Sequence, residues 1–282
     1  MSTTTSSSSS TKRSYSELSQ LHIWETDEWN ALKEHAAAPM PHLRDLLQNE
    51  QRNASLVASI PGMHLDFSRQ CVTQETMKLL LAVGNKAELG AKIQAMKDGT
   101  HINTTEDRAV GHMALRAPKS ATPMPIDDSN NAVDDVHEVL DRIAIFAQKV
   151  RSGTHVGATG KPLTDVISIG IGGSYLGPEF AYEALRHDSS ANAAASGRRL
   201  RFLANVDPVD VARAMEGLNP ETTLVIICSK TFTTAETMLN ARTVKALFEQ
   251  AMPNANDVAA KHIVACSANV QGAQAFGILS EN

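Results

Sequence analysis

The chain has 282 residues, 42% of them apolar, and a formal charge of -5; that length suits one large domain or two smaller ones of about 100 to 200 residues each. Its 26 basic residues against 31 acidic ones argue against the clustered positive surface of a nucleic-acid binder. Three widely spaced cysteines, Cys71, Cys228 and Cys266, offer neither a disulfide framework nor a zinc set, and no apolar run reaches the ~20 residues needed to span a bilayer. The expectation is a soluble, intracellular protein of a reducing compartment that takes a small ligand, with neither nucleic acid nor membrane as partner.

In chain order, residues 1–14 are Ser/Thr-rich with almost nothing to bury, which predicts a disordered tail. A transit peptide is the alternative reading, although only Lys12 and Arg13 are basic. A helical arm is expected over 15–60, with Leu21, Trp24, Leu32, Leu43, Leu46 and Leu47 as buried positions and a break near Pro39 and Pro41. Trp24 and Trp29 are expected to anchor packing.

A mainly helical region is predicted over 61–160. A short extended piece at Leu65 to Phe67 precedes helices near Gln74 to Val83 and Lys86 to Lys97. Gly99 to Arg116 then concentrates His101, Asn103, Glu106, Asp107, Arg108, His112 and Arg116, as either a surface loop or a hydrogen-bonded scaffold. No spacing ties these histidines to a nucleophile or metal set, so structural roles are expected for them. Pro118, Pro123 and Pro125 mark an irregular connection. Val133, Val136, Leu140, Ile143, Ala147 and Val150 recur at three- and four-residue steps and predict a helix with one face in the core.

Residues 161–282 read as a parallel α/β domain. In LTDVISIGIGGSYLGP, Leu163 to Pro178, the β-branched Val166, Ile167 and Ile169 predict a strand covered on both faces. Gly170, Gly172 and Gly173 break it and let backbone N–H groups approach a ligand, while Ser174 adds a hydroxyl. Leu176, Phe180 and Ala184 follow at helical spacing, so a helix N-terminus points at the same place and favours an anion. Further strands begin near Leu200, Thr223 and His262, separated by helical stretches, which predicts right-handed crossovers with ligands at the carboxyl ends of the strands.

A second polar cluster follows TLVIIC: Ser229, Lys230, Thr231, Phe232, Thr233 and Thr234. Its hydroxyls and ammonium suit the oxygens of a phosphate monoester. Thr233 and Glu236 also have capping-box spacing, so a well-capped helix is the structural alternative. A Walker loop fails because Pro178 follows Gly177, and the Rossmann fingerprint fails at Tyr175. Asp207 sits where a ribose-binding acid could, which leaves a dinucleotide site open.

With IGIGGSYLGP, SKTFTTAET and the upstream INTTEDRAVGHMALR in this order, the chain resembles the glucose-6-phosphate isomerase family from about Gly62 onward. The resemblance implies a doubly wound parallel sheet of the sugar-isomerase (SIS) type with an N-terminal helical arm and helical region, no metal and no organic cofactor. It implies a cytoplasmic homodimer of glycolysis and gluconeogenesis, with an organelle such as a glycosome or peroxisome left open. Gly173 and Ser174 correspond to the family's first sugar-phosphate contact, and Ser229, Lys230, Thr231 and Thr234 to the rest of its phosphate clamp. Phe232 and Thr233 act there through backbone geometry. Tyr175 stands where the family usually has aspartate, and Gly111 replaces an aliphatic residue.

The family's V-G-G-R motif, glutamate base, ring-opening histidine and late lysine are expected beyond Asn282, together with a second SIS domain. No catalytic residue is therefore assigned in this chain. Glu179, Glu183 and Glu236 lie nearest the two loops in sequence, but each is expected to be a solvated or capping carboxylate. The implied activity is interconversion of glucose 6-phosphate and fructose 6-phosphate, and the chain alone is expected to be inactive. A noncatalytic sugar-phosphate sensor on the same sheet is the alternative.

Overall fold

The computed structural model describes residues 22–127 and 129–280; the predicted tail and Leu21 lie outside them. The chain divides into two compact units, Met1–Val139 and Leu140–Asn282. The first contains helices α1 (Asp27–Ala37), α2 (Leu43–Leu46) and α3 (Glu50–Ser55), then an antiparallel pair of strands, β1 (Val57–Ile60) and β2 (Met63–Asp66), then α4 (Gln74–Lys86) and α5 (Leu89–Lys97). The extended piece expected at Leu65 to Phe67 is thus half of a hairpin whose first strand gave no signal of its own.

Local chemistry sets these boundaries. Thr26 caps α1 by accepting from the Trp29 amide, and Thr73 and Thr76 form a reciprocal capping box on α4, the arrangement that satisfies two orphan amides at once. Buried Arg52 donates to the carbonyls of Ser68, Gln70 and Val72 at 2.9, 2.6 and 2.7 Å, tying the segment after β2 to α3. The tryptophans do not anchor packing as expected. Trp24, ahead of α1, is 59% exposed and Trp29 36%; α1 meets α4 instead through Glu28, paired with Lys86, and His35, bonded to Thr76.

Gly99 to Arg116 is the hydrogen-bonded scaffold. His101 bridges Asp107 at 3.0 Å and Asp127 at 3.1 Å, and Asn103 donates to Glu106 while its carbonyl receives Thr105. The bond to Asp107 raises the imidazole pKa above its ordinary value.

Helix α6 (Ala132–Ser152) forms as its periodicity predicts, but a continuous core face does not. Val133 and Val150 are buried, whereas Leu140 and Ile143 are exposed. Near its C-terminal end Phe146 and Val150 pack on the second unit's sheet with Leu163, Val166, Leu224, Ile226 and Val264.

That sheet is parallel throughout: β3 (Asp165–Ile169), β4 (Arg199–Leu203), β5 (Thr223–Cys228) and β6 (Ile263–Cys266) lie in the order β4-β3-β5-β6. Its helices are α7 (Gly173–Leu185), α8 (Ser189–Ala194), α9 (Pro208–Met215), α10 (Ala235–Ala251), α11 (Val258–His262) and α12 (Val270–Phe276). Winding runs one way from β3 to β4 and the other way from β4 to β5 and β5 to β6, so right-handed crossovers place α7 on one face and α9 and α10 on the other. Packing agrees. Ile167, Ile169, Leu203, Val225 and Ile227 meet Val211, Ala214, Met238, Val244 and Phe248 of α9 and α10, while Phe202 on the opposite face takes Tyr175 and Tyr182 of α7 at 5.7 and 5.9 Å. The sheet is doubly wound, as the family resemblance implied.

Among the described residues, no helix is long and apolar enough to cross a membrane.

Candidate functional site: two loops at the winding reversal

Ile169 and Ile227 are register partners on adjacent strands, so the loops leaving β3 and β5 open side by side where the winding direction reverses. In open α/β sheets that is where a crevice forms at the carboxyl edge. Parallel neighbours stand about 4.8 Å apart, so the two loops begin close together.

The first loop is shaped by two glycines. A Cβ on Gly170 would lie 2.7 Å from the Ser174 carbonyl oxygen, so only glycine lets the start of α7 fold so closely over the strand end. Gly172 precedes the helix at φ +60, a left-handed conformation, and gives α7 no side-chain cap. Gly173 opens α7 and half-buried Ser174 follows it. Tyr175 turns onto Phe202, and its phenol is held above the usual tyrosine pKa by a hydrogen bond to Glu179 and by burial.

The second loop is tighter. Ser229 is buried, and its hydroxyl donates to Thr234 Oγ1 at 3.4 Å. Thr233 Oγ1 donates to Thr231 Oγ1 at 2.7 Å. Phe232 sits at φ +56, rare for a bulky residue; burial and an edge contact with Phe276 hold it there. The capping-box alternative does not form. Thr234 is the N-cap of the 17-residue helix α10, with no side-chain capping bond, so the amides at that terminus face the loop without a hydroxyl from Thr233. Lys230 and Thr231 are exposed beside them.

A third loop, after β6, supports the second, and sequence reading missed it. Ala268 N and Ser267 Oγ donate to the Lys230 carbonyl at 3.0 and 3.2 Å. Asn269 Nδ2 donates to the Thr231 carbonyl at 2.9 Å while its Oδ1 caps α12 through Gly272 N. HIVACSAN ends a strand in polar residues just as TLVIICSKT does, and that was the available signal.

Other expectations settle into structural roles. Asp207 caps α9 by accepting from Val209 N at 2.8 Å, which spends the carboxylate that a ribose would need. Glu183 pairs with Arg186 at 3.0 Å, and Glu236 is exposed in the first turn of α10. Among the described residues no group of acids, histidines and cysteines is arranged to hold a metal.

Together the winding and these loops define a doubly wound α/β domain with a glycine loop and a hydroxyl-rich loop at its winding reversal. The family model described as phosphoglucose isomerase matches residues 66–282, and the chain belongs to that family. It is 50% identical over 261 residues to a cytosolic glucose-6-phosphate isomerase of Spinacia oleracea and 52% identical over 261 residues to one of Arabidopsis thaliana, covering 92% of this chain in each case and 45% and 46% of those proteins. The crystal structure of a glucose-6-phosphate isomerase from Chlamydia trachomatis superposes with a TM-score of 0.67 at 25% identity, over 87% of this chain and 45% of that one. The chain spans about half the length of the curated relatives it matches.

Proposed function

We propose that this chain is the phosphate-holding part of a glucose-6-phosphate isomerase, which interconverts glucose 6-phosphate and fructose 6-phosphate. Gly173 and Ser174 contact the sugar phosphate from one side, and Ser229, Lys230, Thr231 and Thr234 grip it from the other, with Phe232 and Thr233 fixing the loop. The observation that carries the reading is the hydroxyl cluster around the α10 terminus, which lacks a side-chain cap and lies beside the glycine loop of β3. A phosphate dianion satisfies such amides and hydroxyls together. The names of the relatives place those proteins in the cytosol, and we assign this one to the same compartment and to glycolysis, as a homodimer when complete.

Isomerisation needs a base that moves a proton between neighbouring carbons through an enediol. The clamp contributes position, using binding energy from the unreacting phosphate to hold those carbons in place. We assign the base to none of the acids near the loops: Glu183 is paired with Arg186, Glu236 is exposed in the first turn of α10, and Glu179 lies beside the Tyr175 phenol.

Calorimetry with fructose 6-phosphate tests the clamp. Thr231→Ala and Ser229→Ala are each expected to weaken binding by about 1 to 3 kcal/mol, the usual cost of losing a hydrogen bond to a charged group. Unchanged affinity in both would remove the clamp. Assaying this chain beside a version extended past Asn282 tests the activity: turnover is expected only in the longer protein, and binding without turnover there would make it a sensor.

A further inference from the structure

We propose that Cys228 and Cys266 are a modification site, closing to a reversible disulfide at the strand ends beneath the phosphate loop when the protein meets a peroxide. The two are register partners on the adjacent parallel strands β5 and β6, so their side chains emerge on the same face. Both are free thiols, Cys266 exposed and Cys228 half-buried. Parallel strands stand about 4.8 Å apart, inside the 4.4 to 6.8 Å that Cα atoms span across a disulfide. The two thiols act on each other electrostatically, and Ser168 on β3 acts on Cys228 as well.

Their chemistry is unequal in a useful way. The neighbouring Cys228 thiol lowers the Cys266 pKa, while Cys266 and burial raise that of Cys228. Cys266, the exposed member of the pair, is the attacking thiolate and half-buried Cys228 the resolving thiol. The Cys266 thiolate attacks one peroxide oxygen, the O–O bond breaks, and the departing hydroxide takes a proton to become water. Cys228 then attacks the resulting sulfenic sulfur; the S–S bond forms, the S–O bond breaks, and the proton of Cys228 leaves with that hydroxyl as a second water. Two thiols lose two electrons and one hydrogen peroxide is reduced to two waters.

The bridge reaches the ligand loop directly, a consequence that rests on the phosphate reading above. Ser229 N donates to the Cys266 carbonyl at 3.1 Å, and Ser267, Ala268 and Asn269, which follow Cys266, hold the backbone of Lys230 and Thr231. A disulfide draws the Cβ atoms to about 3.8 Å, closer than the strand spacing, and so shifts both loops.

The test treats the protein, with the exposed Cys71 changed to Ser, with hydrogen peroxide and maps its peptides by mass spectrometry. One cross-linked pair containing Cys228 and Cys266 is expected, lighter by two hydrogens, reversed by dithiothreitol and absent in Cys266→Ser. Oxidation of Cys266 to the sulfinic acid with no cross-linked peptide would overturn the proposal. Titration of the reduced and oxidised forms with inorganic phosphate is expected to show about tenfold weaker binding after oxidation, the loss of one charge-assisted hydrogen bond; equal affinity would overturn the coupling. A reduced protein that binds no phosphate counts against the phosphate reading, while the cross-linked peptide still upholds this one.

Discussion

At the scale of single residues, one tightly held titratable group lies away from the two loops. His262 is fully buried, with Nδ1 against the Thr223 carbonyl at 2.8 Å and Nε2 accepting from Ala158 N at 2.8 Å. The acceptor role of Nε2 puts the single proton on Nδ1, and burial lowers the pKa below its ordinary value. The unfolded chain therefore takes up a proton near pH 6.5 that the native state refuses. Stability from this group is complete above that pH and falls as pH drops below it, by at most about 1.4 kcal/mol per pH unit. Urea midpoints are expected to fall between pH 7.5 and pH 5.5, and to fall less in His262→Asn; identical slopes would show that His262 is not the cause. His101 works the other way, since Asp107 raises its pKa and its contribution is lost as pH rises.

At the scale of elements, β3 and β4 are fastened at their amino ends by a two-point ion pair. Arg199 Nε and Nη2 reach the two carboxylate oxygens of Asp165 at 2.7 and 2.9 Å, and Asp165 is buried. Arg199 also donates to the Gly217 carbonyl, so one side chain ties two strands to the turn after α9. Arg199→Ala leaves the carboxylate buried without its partner and is expected to cost about 1 to 3 kcal/mol. Arg199→Lys should recover only part, because an ammonium cannot make the planar two-point contact. Thermal unfolding of both variants checks this ordering. A similar logic governs α10, where buried Asn240 donates to the Asn205 carbonyl at 2.9 Å and joins the helix to the loop after β4. Neither tie was legible in the sequence, since each links residues far apart in the chain and helix or strand periodicity is blind to that distance.

At the scale of the whole molecule, much apolar surface is uncovered. Leu176, Phe180 and Leu185 on α7 are exposed, Phe180 to 76%, as are Val139, Leu140, Ile143 and Ile145 on α6. Patches of this kind mark surfaces that associate. This chain alone is expected to bind a hydrophobic dye and to self-associate during size-exclusion chromatography as concentration rises. A monomer that leaves the dye dark and unfolds cooperatively would contradict this.

By itself the sequence determined the parallel α/β class, the glycine turn at Gly170 to Gly173, the hydroxyl run from Ser229 to Thr234 and the family, because these are local patterns of β-branched, glycine and polar residues read within a few positions. Only the tertiary structure decided the strand order that sets β3 against β5, the support of Asn269, the meeting of Cys228 with Cys266, and the exposure of Trp24 and Phe180. Those depend on which distant segments pair and which faces are covered, and a period of two or 3.6 residues says where a side chain points along its own element but not what waits on the other side.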